Sequence, residues 1–483
     1  MPVIRSTNPA ALLALLPLLA CGGGGGTPPP VVPTTGRIGG TATGVVGDFV
    51  MLQVGDPALG FPSVLGNSLQ TSFHFDIDLP AGNSYPVTVA LPPACPYQRC
   101  TVSPSTVVIV GGQTVMVSVT CTTEPPPPGA FIRGCPIPEP GSFTASALLE
   151  TGELLVVGGQ VSDALGDQVG TPAAARFDPA TGVWTSAAPM STGRLGPCAA
   201  RLPSGKVLVA GGGTTVRSAG PPTLVSFDTA ELYDPLTDTW TPAAGTMAEG
   251  RTVPQCVGLP TGEVLVMGGF ASGPGAASAT AERFDEATGE FSPAGAMSVP
   301  RYYFTATPLA DGRVLAVGGC FEWPCTSGST SFTDLYDPAG GGWSRGADLT
   351  SLMAHAATGL ADGTVLVAGG CRTDETCGDG EADRRSFRYD PSLDSWSDAG
   401  PMAHGHAFAG VAPLASGGAV ILGGPVGADG EVFSASTGTW TPVPAGALRQ
   451  VYWLNEAQGV GAFPLPDGGA LFYGAGRTVI YVE

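Results

Sequence analysis

The chain has 483 residues, of which 43% are hydrophobic and only 12% charged, with 73 glycines, 47 prolines and a formal net charge of −20. Forty acidic residues stand against 20 basic ones, and Lys206 is the only lysine, so electrostatics disfavours nucleic acid and anionic membrane surfaces as partners. The glycine-rich, charge-poor balance suits an all-β, turn-rich extracellular protein rather than a helical one.

In chain order, residues 1–20 read as an export signal: one early cation, Arg5, then an apolar stretch from Ala10 to Ala20 that is too short for a typical membrane span. It ends in Leu18-Leu19-Ala20-Cys21, which resembles a bacterial lipobox. The resemblance implies cleavage before Cys21 and attachment of lipid to it, and Gly22 after the cysteine resembles lipoproteins sent to the outer membrane. Residues 21–35, with Gly22–Gly26 and Pro28–Pro30, cannot build a core and read as a tether. Membrane contact is then expected through the N-terminal lipid only. Residues 36–123 alternate apolar and polar positions in FHFDIDL (73–79), YPVTVAL (85–91) and TVMVSVTC (114–121), the pattern of a small β-sandwich. This unit resembles the immunoglobulin-like modules that follow lipoprotein tethers. Residues 124–129, with four consecutive prolines, form a semi-rigid linker.

From residue 130 onward the chain repeats itself. Short apolar strands run into a glycine pair at LLVVGG (154–159), VLVAGG (207–212), VLVMGG (264–269), VLAVGG (314–319), VLVAGG (365–370) and AVILGG (419–424), with a degraded copy, ALFYGA (470–475). Six of the seven are followed by an aromatic-Asp pair (Phe433-Ser434 in the sixth) and then Trp or Phe, as in RFDPATGVW (176–184) and LYDPLTDTW (232–240). The first glycines of the pairs stand at 158, 211, 268, 318, 369, 423 and 474, a near-constant period of roughly fifty positions. A tight Gly turn precedes each such strand, making it the second of a four-stranded unit, and the Trp opens the fourth strand, where its ring packs between neighbours. The pattern resembles the kelch repeat of galactose-oxidase-like β-propellers. The expected fold is therefore all-β: a seven-bladed kelch-type β-propeller over residues 130–483, preceded by the immunoglobulin-like sandwich. Closure is expected in the seventh blade, where the residues around Phe131 supply the outer strand beside the C-terminal RTVIYV (477–482).

With Cys21 assigned to lipid, ten cysteines remain. Cys100 pairs with Cys121, Cys198 with Cys256, Cys320 with Cys325 and Cys371 with Cys377 in the favoured arrangement, leaving Cys95 and Cys135 to join each other. Such bridges belong to an exported chain.

Candidate sites lie on the face that carries the long links between second and third strands (160–173, 213–227, 270–280, 320–331 and 371–385), because function concentrates on variable loops held by a rigid scaffold. Arg194, Arg251 and Arg301 precede Gly211, Gly268 and Gly318 at one constant spacing. They either converge on a carboxylate or acidic sugar, or belong to the repeat and bond neighbouring backbone. Arg449, Tyr452, Trp453 and Asn455 in the last inter-blade link join Tyr302, Tyr303, Phe321 and Trp323 as a surface for sugar stacking or a protein partner, or fill gaps between blades. His404 and His406, with His355 one blade earlier, are the weak metal candidates. The acidic loop Asp374, Glu375, Asp379, Glu381 and Asp383 lacks the spacing of a calcium loop and reads as a solvated acidic loop, with calcium as the alternative. The two-His, two-Tyr copper constellation of galactose oxidase has no residue-by-residue match. No catalytic residue is assigned and no cofactor is expected. The leading expectation is a monomeric, envelope-anchored lipoprotein displaying a non-catalytic binding module for protein or glycan. The alternative is a carbohydrate-active enzyme, a metal-dependent oxidase, hydrolase or isomerase, on the long-loop face.

Overall fold

The computed structural model describes residues 34–45, 49–55, 63–67, 72–75, 77–91, 98–123, 128–138, 141–217, 222–271, 276–322, 325, 329–373, 382–424, 430–443, 460–474 and 477–483. The described residues form strands and turns, with no helix among them.

The N-terminal unit is two sheets around one core of Ile38, Val50, Leu52, Phe75, Val117 and Val119. Thr35–Thr43 runs parallel to Thr114–Thr123, and Cys100 and Cys121 face each other across an antiparallel pair and are joined by a disulfide. In Thr114–Thr123 inward and outward positions alternate as the pleat requires, with Val117, Val119 and Cys121 buried.

The remainder is built from seven antiparallel sheets, counted among the described residues: six of four strands, and one, in blade 2, with a fifth strand paired to its second. In six of them the main strands pair in chain order, as in blade 4, where Thr305–Pro308, Val314–Val317, Thr333–Asp337 and Gly342–Arg345 pair one after the next. The second strand of each blade is the most buried, because it is covered on both faces by neighbouring blades. One sheet joins the two ends of the chain: Ala130–Arg133 pairs antiparallel with Arg477–Val482, setting Phe131 opposite Tyr481. Phe131 packs on Phe472 and Tyr481 at 5.9 and 5.2 Å between ring centres. That sheet meets blade 1 through Leu471 and Tyr473 against Val156 and Phe177, so the ring of sheets is continuous.

The aromatic pair of each repeat works in two directions. Within a blade, Tyr233–Trp240, Tyr389–Trp396 and Phe433–Trp440 pack with ring centres 4.9 to 5.1 Å apart. Toward the preceding blade, the indole N–H donates to Ala188 O from Trp240 (2.6 Å), to Ala294 O from Trp343 (3.0 Å) and to Ala347 O from Trp396 (2.9 Å). The tryptophan thus stitches blade to blade, which explains its recurrence. The bridges Cys198–Cys256 and Cys320–Cys325 are formed. Cys371 and Cys135 are also disulfide-bonded. Their expected partners, Cys377 and Cys95, lie outside the described residues.

Candidate functional site

The recurrent arginines are fasteners. Arg194 is buried and donates to Gly211 O (2.7 Å), Thr229 O (2.9 Å) and Glu231 (3.1 Å). Arg251 bonds Gly268 O, Thr280 O and Glu282, and Arg301 bonds Gly318 O, Phe332 O and Asp334. Each guanidinium therefore clamps the diglycine carbonyl of its own blade to a carboxylate on the third strand. The carboxylate also accepts from the preceding link: Ser191 N–H to Glu231, Ala248 N–H to Glu282 and Ser298 N–H to Asp334. Burial pulls Arg301 down to about 10, opposed by the Asp334 charge and reinforced by Arg345, which leaves it cationic at neutral pH. These groups are fully enclosed and their charges are spent inside the blades. The acidic-ligand reading of Arg194, Arg251 and Arg301 is corrected accordingly: the repeat-pattern reading is the one the geometry carries.

The histidines are corrected in the same way. His406 precedes Gly423 at the arginine spacing, so it holds the fastener position of blade 6. Its ring is buried, with Nδ1 2.5 Å from Gly423 O and Nε2 3.3 Å from Glu431, and His404 Nδ1 lies 3.6 Å from the same carboxylate. His355 sits apart, its Nε2 2.8 Å from Thr305 Oγ1. Among the described residues no group of three His, Cys, Asp or Glu side chains is placed to hold a metal ion. Tyr302 is fully buried, its hydroxyl donating to Glu322 O at 2.8 Å, so it offers no ligand surface. Cys21, Trp323, Arg449, Tyr452, Trp453 and Asn455, and all of the acidic loop except Asp383, lie outside the described residues. Asp383 is paired with Arg385, whose hydrogen bonds outweigh burial and hold its carboxyl below the usual range.

Just downstream of the fastener position the chain does something different. Phe143, Val253, Tyr303, Ala354 and Phe408 share one constant spacing to the diglycine that follows, and each adopts a positive φ of 51 to 55°. Gly196 holds the same place in blade 2, with φ 56°. This left-handed backbone is rare for non-glycine residues and costs on the order of 1–3 kcal/mol per site. Inter-blade hydrogen bonds hold it: Val253 N–H to Gly196 O, Ala354 N–H to Tyr303 O and Phe408 N–H to Ala354 O, at 2.7 to 2.9 Å. The result turns side chains inward at the start of the innermost strands. Tyr303 and Phe408 meet at 5.1 Å, and Phe143 lies 6.3 Å from Tyr303 and 6.4 Å from Phe408. Residues from blades 1, 4 and 6 touch only by meeting at the axis, so an aromatic plug closes the channel on the long-loop face.

Beside this plug lies a groove of about 650 Å³. Its floor is aromatic: Phe143, Tyr303 and Phe270, with Phe270 packed at a tilt on the buried Tyr302, ring centres 4.0 Å apart. One wall is a pair of β-ribbons that rise from blades 1 and 2. Gln160–Ser162 pairs with Gln168–Gly170, and the second strand of blade 2 runs past its glycines to Val216 and pairs with Thr223–Ser226. Asp167 accepts Arg217 from the neighbouring ribbon, which ties the two together and keeps the Asp167 carboxyl below its ordinary range. The opposite wall comes from Thr252, Val253 and Ala271 of blade 3, with Thr252 Oγ1 2.8 Å from Ser226 Oγ. The described residues that line the groove include no carboxylate, amine, guanidinium or imidazole. Reading the repeats alone does not find this site, although the positive-φ position ahead of each diglycine marks its floor.

No protein-family model matches the sequence. Kelch-like protein 23 of Mus musculus is 26% identical over 221 residues, covering 45% of this chain and 35% of that protein. Its Homo sapiens counterpart is 25% identical over 220 residues, with the same shares. Among solved structures, a fungal alcohol oxidase of the AA5 family in complex with copper superposes with a TM-score of 0.53 at 14% identity, over 73% of this chain and 75% of that one. The chain carries a kelch-repeat β-propeller. YjhT aligns over 64% of this chain and 99% of its own, with a TM-score of 0.49 and 15% identity. The propeller-bearing chain spans about a third of the length of the curated relatives it matches. The similarity to the alcohol oxidase is one of fold.

Proposed function

We propose that this protein is an exported, lipid-anchored envelope protein whose propeller presents its long-loop face as a non-catalytic binding module for protein or glycan. The observation that carries the reading is the groove: a sizeable concave site with an aromatic floor and no charged group among its described lining residues, next to an axis closed by Phe143, Tyr303 and Phe408. General acid–base or nucleophilic chemistry needs a titratable or activated group within reach of the bound ligand. In this propeller the nearby charged groups, Arg194, Arg251 and Asp167, are committed to Glu231, Glu282 and Arg217. The lipobox-like Leu18–Cys21, the tether and the sandwich supply the anchor and the reach, and the disulfides fit an oxidising compartment. Among the described residues no helix is long and apolar enough to cross a membrane.

The test is a thermal-shift panel of the purified full-length protein against envelope proteins and polysaccharides. A ligand that binds only the folded state raises the melting temperature by mass action. A shift that disappears in Thr215→Trp, which fills the groove from the ribbon side, supports the reading. Turnover of an alcohol or sugar by the copper-loaded protein, retained in Thr215→Trp, contradicts it and moves the protein to the oxidase alternative. Replacing Cys21 with Ser is expected to release the chain from membranes into the soluble fraction, read by fractionation.

A further inference from the structure

We infer that the groove is a subsite for an uncharged oligosaccharide chain lying across the propeller face. The inference rests on the binding-module reading and names its ligand.

Charge is the first argument. The chain carries 40 acidic and 20 basic residues, yet none of them is among the described residues that line the groove. A charged ligand there would lose hydration without gaining a partner, and burial of an unpaired charge is strongly unfavourable. An anion is opposed further by the net charge of −20.

The lining chemistry is the second. Tyr303 and Phe270 supply flat apolar surface, matched by the C–H faces of pyranose rings. Around them stand groups that both donate and accept, the amides of Gln160 and Gln168 and the hydroxyl of Thr215. Sugar hydroxyls also donate and accept, so a wall of amides and hydroxyls meets them without a net charge on either side. The amides are ordered in advance: Gln160 donates to Gln168 Oε1 at 2.7 Å, and Gln168 donates to Ser162 Oγ at 3.0 Å. Holding them in place lowers the entropy lost on binding.

Shape is the third. At about 650 Å³ the groove lies inside the usual range for small-ligand sites, roughly 300–1,000 Å³, and has room for a few sugar rings. The aromatic plug stops a chain from threading the axis, so the ligand runs sideways between the ribbons of blades 1 and 2 and the wall of blade 3.

The experiment is isothermal titration of the purified full-length protein with cello-, xylo- and mannohexaose, with oligogalacturonate as the acidic counterpart, at low and at high salt. At least one neutral hexasaccharide is expected to bind with an affinity that salt leaves unchanged. Gln168→Ala, an exposed ribbon position, is expected to weaken binding about three- to tenfold, the loss of one neutral hydrogen bond. Thr215→Trp is expected to weaken it more than tenfold, with an unaltered melting temperature in both variants. Preference for oligogalacturonate, or an affinity that falls with salt, overturns the neutral-sugar assignment and leaves the binding module standing. Failure of every neutral probe also overturns it. The module reading then survives only if a purified envelope protein binds the wild type and not Thr215→Trp; with neither, both fall.

Discussion

Blades 4 and 5 are neighbours built on one plan, and opposite chemistry fastens them. In blade 4, Arg301 reaches Gly318 O and Asp334 in a fully enclosed site. In blade 5 the fastener position is Leu352 and the third-strand position is Phe387, and the two belong to one apolar cluster with Leu335 and Tyr389. Both partners change together, so neither blade buries an unmatched charge. A buried ion pair and a well-packed apolar pair are close to interchangeable in stability, whereas half of an ion pair is not. The recurrence of arginine along the chain therefore reports how blades are closed. It does not report what the propeller binds.

The largest expected effect comes from breaking one half of the ionic fastener. Arg301→Ala leaves Asp334 buried opposite Ser298 alone and is expected to destabilise the propeller by about 3–5 kcal/mol, read by denaturant unfolding. Rebuilding blade 5 chemistry in blade 4, with Arg301→Leu and Asp334→Phe together, is expected to recover most of that loss. A double variant as unstable as the single one would refute the equivalence of the two blades.

Next is pH. Burial, reinforced by the Arg301 charge, depresses the His355 imidazole from 6.5 to about 4. The folded state keeps the ring neutral while the unfolded chain protonates near 6.5, so stability is full above that pH and falls as pH drops toward 4. The shift corresponds to roughly 3 kcal/mol, and His355→Phe, which copies Phe304 at the same place in blade 4, is expected to abolish this part of the acid sensitivity. An unchanged slope of stability against pH in the variant would show that other groups are responsible.

A smaller effect tests the stitching between blades. Trp343→Phe keeps most of the packing on Tyr336 and removes the indole N–H donated to Ala294 O, for an expected loss of about 1 kcal/mol by thermal melting. A loss several times larger would mean that the extra ring volume, rather than the hydrogen bond, holds the blades. Smallest of all, Gln168→Ala and Thr215→Trp on the ribbons are expected to leave the melting temperature unchanged.

Most of the scaffold is legible in the sequence because its constraints fall on side-chain identity. A glycine pair marks the end of each second strand, where positive φ at Gly158, Gly211 or Gly318 brings the chain against the backbone of the next link. A tryptophan marks most fourth strands, with Phe291 and Phe131 in its place in two blades, because a large ring, usually with one N–H donor, is what the inter-blade gap accepts. The arginine spacing is equally visible, but its meaning depends on a partner just ahead of the third-strand aromatic: Glu231, Glu282 and Asp334 with arginine, Glu431 with His406, and Phe387 and Ala175 with neither. That covariation between repeats is present in the chain and identifies His406 as an arginine substitute. The groove was hidden for a different reason. Its floor is set by backbone conformation at positions occupied by Phe, Gly, Val, Tyr and Ala, so no residue type recurs. One of its walls is made of ribbon extensions in the links of blades 1 and 2, which no repeat pattern describes.

The measurement that bears most directly on the central claim is the ligand affinity of Thr215→Trp beside that of Arg301→Leu/Asp334→Phe. The groove variant is predicted to lose binding at an unchanged melting temperature, and the fastener variant to retain binding in full. Retained binding in Thr215→Trp together with loss in the folded fastener variant would contradict the account and return the ligand site to the arginines.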